Sequence, residues 1–388
     1  MKAIPNVITR LAISIVTASA FLASAAYAQT LKVGYIGPLT GAGAAWGIAG
    51  AEGARAAVDD LNAKGGLKVG ADTYKVELIS YDDRYAAADA LSAYTRLVYQ
   101  DGVKFIVILT GTATVALKKN IESDKVLALT SSYTEKAFDP ETTRMFRLYS
   151  TPHMYMGPVV AWIKKNVDGR KVVILNPNDE VGWDHEGVAS KGFTDAGFEV
   201  LRSERYERNT KDFQPLLTKV IAMKPDIIDL AAGAPATSGI IVRQARELGY
   251  KGRFVKTGGS GLREILDAAG AENAEGTINV LWADASNEGF RRVAAAYKAR
   301  QGQEPNELIA PVYDGVSIML QAIGKAGTVT DTAKVAESFG KVFPYKTLQG
   351  DEIKLEGVNI NGIHREVNSV SFIGAIKNGQ IAVVGRVQ

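Results

Sequence analysis

The chain has 388 residues, with 45 Lys and Arg against 42 Asp and Glu, so its net charge is only +3. The basic residues are scattered along the chain, which makes nucleic acid and anionic membrane surfaces poor candidate partners. Cysteine is absent, which excludes structural disulfides, thiolate catalysis and Cys-ligated metal centres. A chain of this length with 46% hydrophobic residues can bury about two cores, so we expect two domains.

The N-terminal segment has the pattern of a cleavable export signal. Lys2 and Arg10 provide a basic start, and residues 11–26 are apolar or small throughout. Ala26-Tyr27-Ala28 is the small-x-small pattern that signal peptidase recognises, which predicts cleavage before Gln29. A membrane anchor is the alternative, but the apolar run is short for a bilayer span. We expect a protein that is exported to the periplasm and, without a cysteine for lipid attachment, diffuses freely there.

After the signal, short apolar runs alternate with helical patterns. Near-continuous apolar runs are typical of parallel strands covered on both faces, and strand–helix–strand alternation predicts doubly wound α/β sheets. The pattern restarts at Lys171, which predicts a second lobe, and three helices follow Val280 before strand-like segments reach the C-terminus. The predicted strands are 31–36, 74–81, 104–109, 126–130, 171–175, 226–230 and 253–256. The predicted helices include 46–62, 152–165, 287–301, 308–326 and 332–341.

The residue inventory argues against an enzyme. Only three histidines are present, and the pair His185-Glu186 begins like a zinc-protease motif but lacks the second histidine. Segment 258–262 resembles a nucleophile elbow, but its last position is Leu262 and not glycine. The glycine pattern after the first strand is an incomplete dinucleotide-binding fingerprint. We therefore expect no catalytic residues, no metal site and no cofactor.

Two polar loops follow neighbouring predicted strands. Thr110-Gly111-Thr112 opens a helix, whose N-terminal N–H groups and dipole suit a carboxylate. Ser132-Tyr133-Thr134 follows the next strand. Because ligands of open α/β sheets bind at the carboxyl ends of strands, the two loops should converge. Ordinary helix capping by Thr112 and Ser132 is the alternative interpretation.

Trp46 is a third candidate for ligand binding. It begins its predicted helix directly after a Gly/Ala-rich loop, where a flat side chain can cover an apolar ligand body. Simple packing beneath the loop is the alternative.

Several motifs occur in a characteristic order along the chain. They are Leu31-Lys32-Val33-Gly34-Tyr35-Ile36-Gly37-Pro38-Leu39-Thr40-Gly41, Asp60-Leu61-Asn62-Ala63-Lys64-Gly65-Gly66, Tyr81-Asp82-Asp83, Asp212-Phe213, Arg243-Gln244-Ala245-Arg246 and Ala274-Glu275-Gly276. In these motifs the chain resembles the periplasmic leucine/isoleucine/valine-binding proteins, the type I solute-binding proteins of branched-chain amino-acid type ABC importers. The resemblance implies two α/β lobes joined by three hinge crossings, with 29–149 and 280–348 in lobe 1 and 150–279 and 349–388 in lobe 2. It also implies a monomer that captures a small molecule by lobe closure and docks on a membrane permease.

The ligand contacts of this family match the chain unevenly. In lobe 1, the contacts to the ligand α-carboxylate match Gly111-Thr112 and Ser132-Tyr133-Thr134, and the aromatic wall matches Trp46. In lobe 2, the acid that binds the ligand ammonium aligns with 256–259, where no acid is present. A family tyrosine aligns near Ala234, and another family aromatic aligns near Val181, with Trp183 close by.

These matches predict the class of ligand. We expect a small carboxylate that lacks an α-ammonium and has an aliphatic or aromatic body. Lys256 is a candidate partner for an acidic group of the ligand, and Gly258 belongs to the same segment. Binding of an amino acid proper, or a role as a periplasmic ligand sensor for a receptor, are the alternatives.

Overall fold

The structure, a computed structural model, describes residues 29–387. The predicted export signal lies outside the described residues. The strands are β1 (Gln29–Gly37), β2 (Leu67–Val69), β3 (Asp72–Asp82), β4 (Phe105–Ile108), β5 (Leu127–Thr130), β6 (Met145–Arg147), β7 (Lys171–Pro177), β8 (Glu199–Tyr206), β9 (Ile227–Asp229), β10 (Arg253–Lys256), β11 (Ile278–Leu281), β12 (Tyr345–Lys346), β13 (Glu352–Ile360), β14 (Ile363–Asn368), β15 (Ser371–Lys377) and β16 (Gln380–Val387). The helices are α1 (Ala44–Ala63), α2 (Ala87–Thr95), α3 (Gly111–Ser123), α4 (Pro152–Asn166), α5 (Glu180–Asp195), α6 (Gln214–Ala222), α7 (Pro235–Glu247), α8 (Leu262–Ala269), α9 (Ala271–Ala274), α10 (Glu288–Gln301), α11 (Ile309–Ala326) and α12 (Thr332–Phe339).

The first sheet has nine strands in the order β12-β13-β14-β6-β5-β4-β1-β3-β2. Its central strands, from β3 through β1, β4, β5 and β6 to β14, pair in parallel, and antiparallel pairing is confined to the two edges. Strands β4 and β5 are buried along their whole length. Helices cover both faces of such strands, which is why their sequences are continuous apolar runs.

The second sheet has seven strands in the order β16-β15-β11-β10-β9-β7-β8. Strands β7 to β11 pair in parallel, and the hairpin β15–β16 is added antiparallel to β11. Two sheets of mainly parallel strands with intervening helices confirm the predicted fold class. Each sheet has its own buried core, as expected for two lobes.

The chain passes between the sheets three times, after β6, after β11 and between β14 and β15. The first and third passages lie side by side, because the Ser150 hydroxyl donates to the Ser369 carbonyl over 2.9 Å and accepts from the Ser369 N–H over 2.8 Å. The predicted passage at residue 349 is wrong, since β13 and β14 belong to the first sheet. Strand β14 pairs with β6, which lies far away in the sequence, and local sequence patterns do not predict such a long-range pairing.

Helices α10 to α12 follow the second passage and return to the first lobe. Val316 and Met319 of α11 share one core with Val33 of β1 and Phe105 of β4. Helices α1 and α11 lie very close, and Gly53 permits this, because a Cβ there would overlap the carbonyl of Ile309. The late helical block therefore completes the lobe that begins at β1.

The longest helices are α1 with 20 residues and α11 with 18. Across residues 29–387, no helix combines the length and the apolar character that a bilayer crossing requires.

Candidate functional site

A cavity lies between the two sheets, at the carboxyl ends of their strands. Its empty volume, which includes space open to solvent, is about 450 Å³. First-lobe lining residues follow β1, β4, β5 and β6, and second-lobe residues follow β7, β9, β10 and β11. Ligand sites of open α/β sheets occur at this position. The convergence of the two predicted polar loops at the cavity is thus a property of the sheet topology.

Helix α3 points its N-terminus at the cavity. Thr110 is its N-cap, and the Thr110 hydroxyl oxygen accepts from the Ala113 N–H over 3.2 Å and donates to the Asp83 carboxylate over 3.1 Å. Thr110 and Gly111 line the cavity. The first N–H groups of a helix have no intrahelical acceptor, so those of Gly111 and Thr112 are available to an anion.

The second polar loop runs beside the first. The Ser132 N–H donates to the Thr130 hydroxyl over 3.0 Å, and Ser131, Ser132 and Tyr133 line the cavity. Arg147, only 4% exposed, donates from Nε to the Ser132 carbonyl over 2.8 Å and from Nη2 to the Thr134 carbonyl over 2.6 Å. An ion pair with Glu366 compensates the Arg147 charge. Arg147 therefore fixes the conformation of this loop from behind.

Aromatic rings form most of the remaining wall. Trp282, directly after β11, lies 4.9 Å from Tyr149 and 6.4 Å from Trp46, measured between ring centroids. Tyr133 meets Tyr149 edge to face at 6.4 Å. Tyr85 closes the cavity from the segment after β3. Flat rings on several sides suit an apolar, planar ligand body.

No charged side chain lines the cavity within the described part of the chain. Asp83 of the first lobe is buried next to the lining residue Thr110, and burial raises its pKa to about 6. Its oxygens accept from the Tyr85 N–H over 2.8 Å and from the Thr110 hydroxyl. Asp83 therefore supports the loops that carry lining residues. Residues 29–387 also contain no group of three potential metal ligands.

The two lobes touch directly across the cavity. The Trp46 indole N–H donates to the Ser260 carbonyl over 2.7 Å, and the Ser260 hydroxyl donates to Glu307. Gly111 faces Val181 of α5 so closely that a Cβ on Gly111 would overlap the Val181 side chain. These contacts describe a closed state in which little open space separates the lobes.

The family assignment follows from the sequence. A family model described as "Periplasmic binding protein" matches residues 30–363. The chain belongs to the periplasmic binding protein family. Within it, this binding protein belongs with the leucine/isoleucine/valine-binding proteins of ABC transporters. The family consists of solute-binding proteins and not of enzymes, and its members bind small molecules in the periplasm and work with ABC permease components.

Three relatives illustrate the range of the likeness. The "Leucine-, isoleucine-, valine-, threonine-, and alanine-binding protein" of Pseudomonas aeruginosa is 30% identical over 322 residues, which cover 80% of this chain and 82% of that protein. LivJ of Streptococcus pneumoniae, solved in complex with isoleucine, has a TM-score of 0.78 at 24% identity and covers 93% of this chain and 99% of its own. An R. palustris solute-binding protein, solved in complex with benzoate, has a TM-score of 0.76 at 17% identity, with coverages of 92% and 96%.

In this binding protein Lys256 lies behind the cavity wall and does not line it. Its Nζ donates to the Ala231 carbonyl over 3.0 Å and to the Gly258 carbonyl, and the residue is 1% exposed. Burial lowers the pKa of Lys256 to about 7. Gly258 does line the cavity, and a Cβ there would lie 2.6 Å from His185. Lys256 thus orders the loop after β10 through backbone carbonyls.

The remaining predicted residues lie outside the cavity lining. Trp183 is 40% exposed and donates to the Asn178 side chain over 2.9 Å, while Val181, two positions earlier, lines the cavity. The Thr134 hydroxyl caps a short 3-10 turn. Ala234 is the N-cap of α7, and Thr112 is half-buried in the first turn of α3.

Sequence reasoning missed several lining residues of this binding protein, including Tyr85, Tyr149, Trp282 and Leu308. Tyr149 lies two residues after β6 and Trp282 directly after β11, and neither strand was predicted. The rule that ligands bind beyond strand ends would have found both, had those two short strands been recognised. Leu308 precedes α11 and reaches the cavity only because the helical block returns to the first lobe.

Proposed function

We propose that this binding protein captures a carboxylate with an apolar or aromatic body and no α-ammonium group, for uptake by an ABC importer. The observation on which the proposal rests is the absence of any acidic side chain from the lining of the cavity among the described residues. An ammonium group enclosed there would lose its hydration without gaining a carboxylate partner, and a buried unpaired charge is strongly unfavourable.

The first-lobe end of the cavity supports a carboxylate at that position. The α3 N-terminus supplies free N–H groups and the positive end of the helix dipole. The hydroxyl of Ser132 is buried beside it and has no partner among the described residues. A carboxylate accepts several hydrogen bonds at once, so one ligand group satisfies all of these donors.

The aromatic rings support the apolar body. Trp46, Tyr149 and Trp282 form a continuous aromatic surface across both lobes. Among solved relatives of the same fold, one binds benzoate, which has this combination of a carboxylate and a flat ring. That likeness concerns the fold, so the argument for this chain rests on its own residues.

An amino acid is the second candidate ligand, and a specific observation favours it. The relative at 30% identity is named as a binder of leucine, isoleucine, valine, threonine and alanine. A buried ammonium group is unfavourable without a negative partner, and Asp83, a buried acid beside the lining residue Thr110, already accepts from two protein donors. The cavity therefore fits the des-amino acid better than its amino-acid counterpart.

The experiment compares ligand pairs that differ only in the ammonium group. Binding constants are measured by calorimetry for 4-methylpentanoate against leucine and for 3-phenylpropanoate against phenylalanine, with benzoate added. We expect the des-amino member of each pair to bind at least tenfold more tightly, because only the amino acid buries an unpaired charge. Tighter binding of leucine and phenylalanine than of their des-amino partners would refute the proposal.

A further inference from the structure

Two buried polar groups at the cavity have no hydrogen-bond partner among residues 29–387. They are the Ser132 hydroxyl and the indole N–H of Trp282. Both residues line the cavity, and Trp282 is only 8% exposed. Buried donors in proteins almost always have an acceptor, so each of these two groups indicates a partner that the protein itself does not supply.

Trp46 provides the comparison for Trp282. Both indoles line the same cavity, and their ring centroids are 6.4 Å apart. The Trp46 N–H is satisfied by the Ser260 carbonyl over 2.7 Å. The Trp282 N–H is as deeply buried and has no such partner. A phenyl ring at position 282 would suffice for packing alone. The unpaired indole N–H of Trp282 adds to stability or binding only when a bound molecule supplies a hydrogen-bond acceptor.

Tyr149 connects Trp282 with the second polar loop. The Tyr149 hydroxyl donates to the Ser131 carbonyl over 3.4 Å, so that end of Tyr149 lies at the second polar loop. The ring of Tyr149 packs on Trp282 at 4.9 Å between centroids. Tyr149 therefore links the loop at the carboxylate end to Trp282, which follows β11 of the other lobe.

We infer that Trp282 is a specificity-determining residue whose indole N–H donates to a second oxygen on the ligand, remote from the carboxylate. The inference rests on the proposed function and narrows it to acids with a hydroxyl, alkoxy or carbonyl oxygen on the apolar body. The Ser132 hydroxyl donates to the carboxylate, together with the N–H groups of α3. A ligand of this class satisfies both unpaired donors.

The test measures a ratio of affinities. Binding constants are determined by calorimetry for benzoate against 4-hydroxybenzoate, for 3-phenylpropanoate against 3-(4-hydroxyphenyl)propanoate, and for phenylalanine against tyrosine. In the wild type we expect the oxygenated member to bind on the order of fivefold to tenfold more tightly, the range of one net hydrogen bond. Trp282→Phe should reduce that ratio to within about twofold while keeping the aromatic wall.

Two variants serve as comparisons. Trp46→Phe removes the indole whose N–H is already satisfied, and Ser132→Ala removes the hydroxyl at the carboxylate end. Both should weaken the two members of a pair equally and leave the ratio unchanged. If Trp282→Phe weakens both ligands of a pair equally, so that their affinity ratio stays at the wild-type value, the inference is overturned. A wild type that binds none of the six acids would also overturn the inference.

A second measurement uses the unaltered protein, so the inference does not depend on the folding of a variant. The chain has four tryptophans, at positions 46, 162, 183 and 282, and each gives one indole N–H signal in a 15N correlation spectrum. A 4-hydroxy acid should shift the Trp282 signal downfield relative to its unsubstituted partner. Equal Trp282 shifts for both acids would count against the inference.

The proposed function and this inference fail in different ways. If phenylalanine and tyrosine bind more tightly than the des-amino acids, the proposed function is refuted, and their ratio still tests Trp282. If the des-amino acids bind and Trp282→Phe leaves their ratio unchanged, the proposed function stands and the inference is refuted.

Discussion

Ligand affinity should depend on pH through two glutamates from opposite lobes. Glu264 lies in the first turn of α8 in the second lobe, and Glu307 precedes α11 in the first lobe. Glu264 Oε1 accepts from the Asn306 side chain over 3.0 Å, and Glu307 accepts from the Ser260 hydroxyl. Burial, followed by the charge of Glu307, raises the pKa of Glu264 to about 7. Burial also raises the pKa of Glu307.

Proton linkage gives the direction in which ligand affinity changes with pH. In the closed state the pKa of Glu264 is about 7, and in an open, hydrated state it returns towards its ordinary value of 4.5. Closure therefore takes up a proton between these values, and affinity falls as pH rises through this window and levels off above about 7. If the Glu264 carboxyl is fully buried in the closed state, ligand affinity falls about 30-fold between pH 5.5 and pH 8. Because Glu264 as a residue is only half-buried, we expect on the order of tenfold.

Other charged groups face this pair and require controls. Asp267 lies on the same helix as Glu264, Arg263 faces Glu307, and Lys256 lies at the end of β10. The pKa of Lys256 is lowered to about 7, so deeper burial of Lys256 on closure would release a proton and oppose the effect. Asp83, with a pKa raised to about 6, lies at the cavity and would act in the same direction as Glu264.

The assay is calorimetry between pH 5.5 and 8 with a ligand that is ionised throughout. Titrations in buffers of different ionisation enthalpy count the protons taken up. Glu264→Gln should remove most of the pH dependence, whereas Glu272→Gln, at an exposed position on α9, should retain it. An affinity that is constant over this range, or a Glu264→Gln variant with the wild-type pH dependence, would refute the reasoning.

Two further variants test the site. Gly111→Ala should weaken ligand binding at least tenfold, because the added Cβ overlaps Val181 and prevents closure. Gly187→Ala is the control: its added Cβ lies in open space, so this variant should bind normally in the same calorimetric assay. Arg147→Met should lower the free energy of unfolding by about 3–5 kcal/mol, because it leaves Glu366 buried and unpaired. Urea unfolding measures this, and a loss below about 1 kcal/mol would contradict the role assigned to Arg147.

Buried parallel strands were predictable, and exposed or short ones were not. All seven predicted strands occur, because strands such as β4 and β5 are buried on both faces and form continuous apolar runs. Strand β8 was missed because it is an edge strand in which only the last residue is fully buried, so it forms no continuous apolar run. Strand β6 has three residues and ends in Arg147, whose burial depends on a partner more than 200 residues away. Such long-range compensation has no local sequence signal.

In the candidate site, too, residues with a local sequence signal were predicted and residues without one were not. Thr110, Gly111 and Ser132 were found because strand ends and helix starts are local features. Tyr149 and Trp282 were missed because the short strands that precede them, β6 and β11, were not recognised. Lys256 was assigned to the ligand because a lysine in an acid-free segment suggests an anion. Its actual partners are backbone carbonyls, which sequence patterns do not specify.

A cavity lining without an acidic side chain among the described residues raises the question of what favours closure. In this chain the protein supplies cross-lobe contacts of its own: Trp46 donates to the Ser260 carbonyl, Ser260 donates to Glu307, and the Arg208 guanidinium stacks 4.1 Å above the Tyr85 ring. Differential contacts in the closed state, from any source, shift the equilibrium towards it. The ligand therefore needs only to fill the aromatic space and satisfy the unpaired donors at each end. A second lobe without a charged ligand contact is consistent with capture by closure, provided that the ligand brings no positive charge.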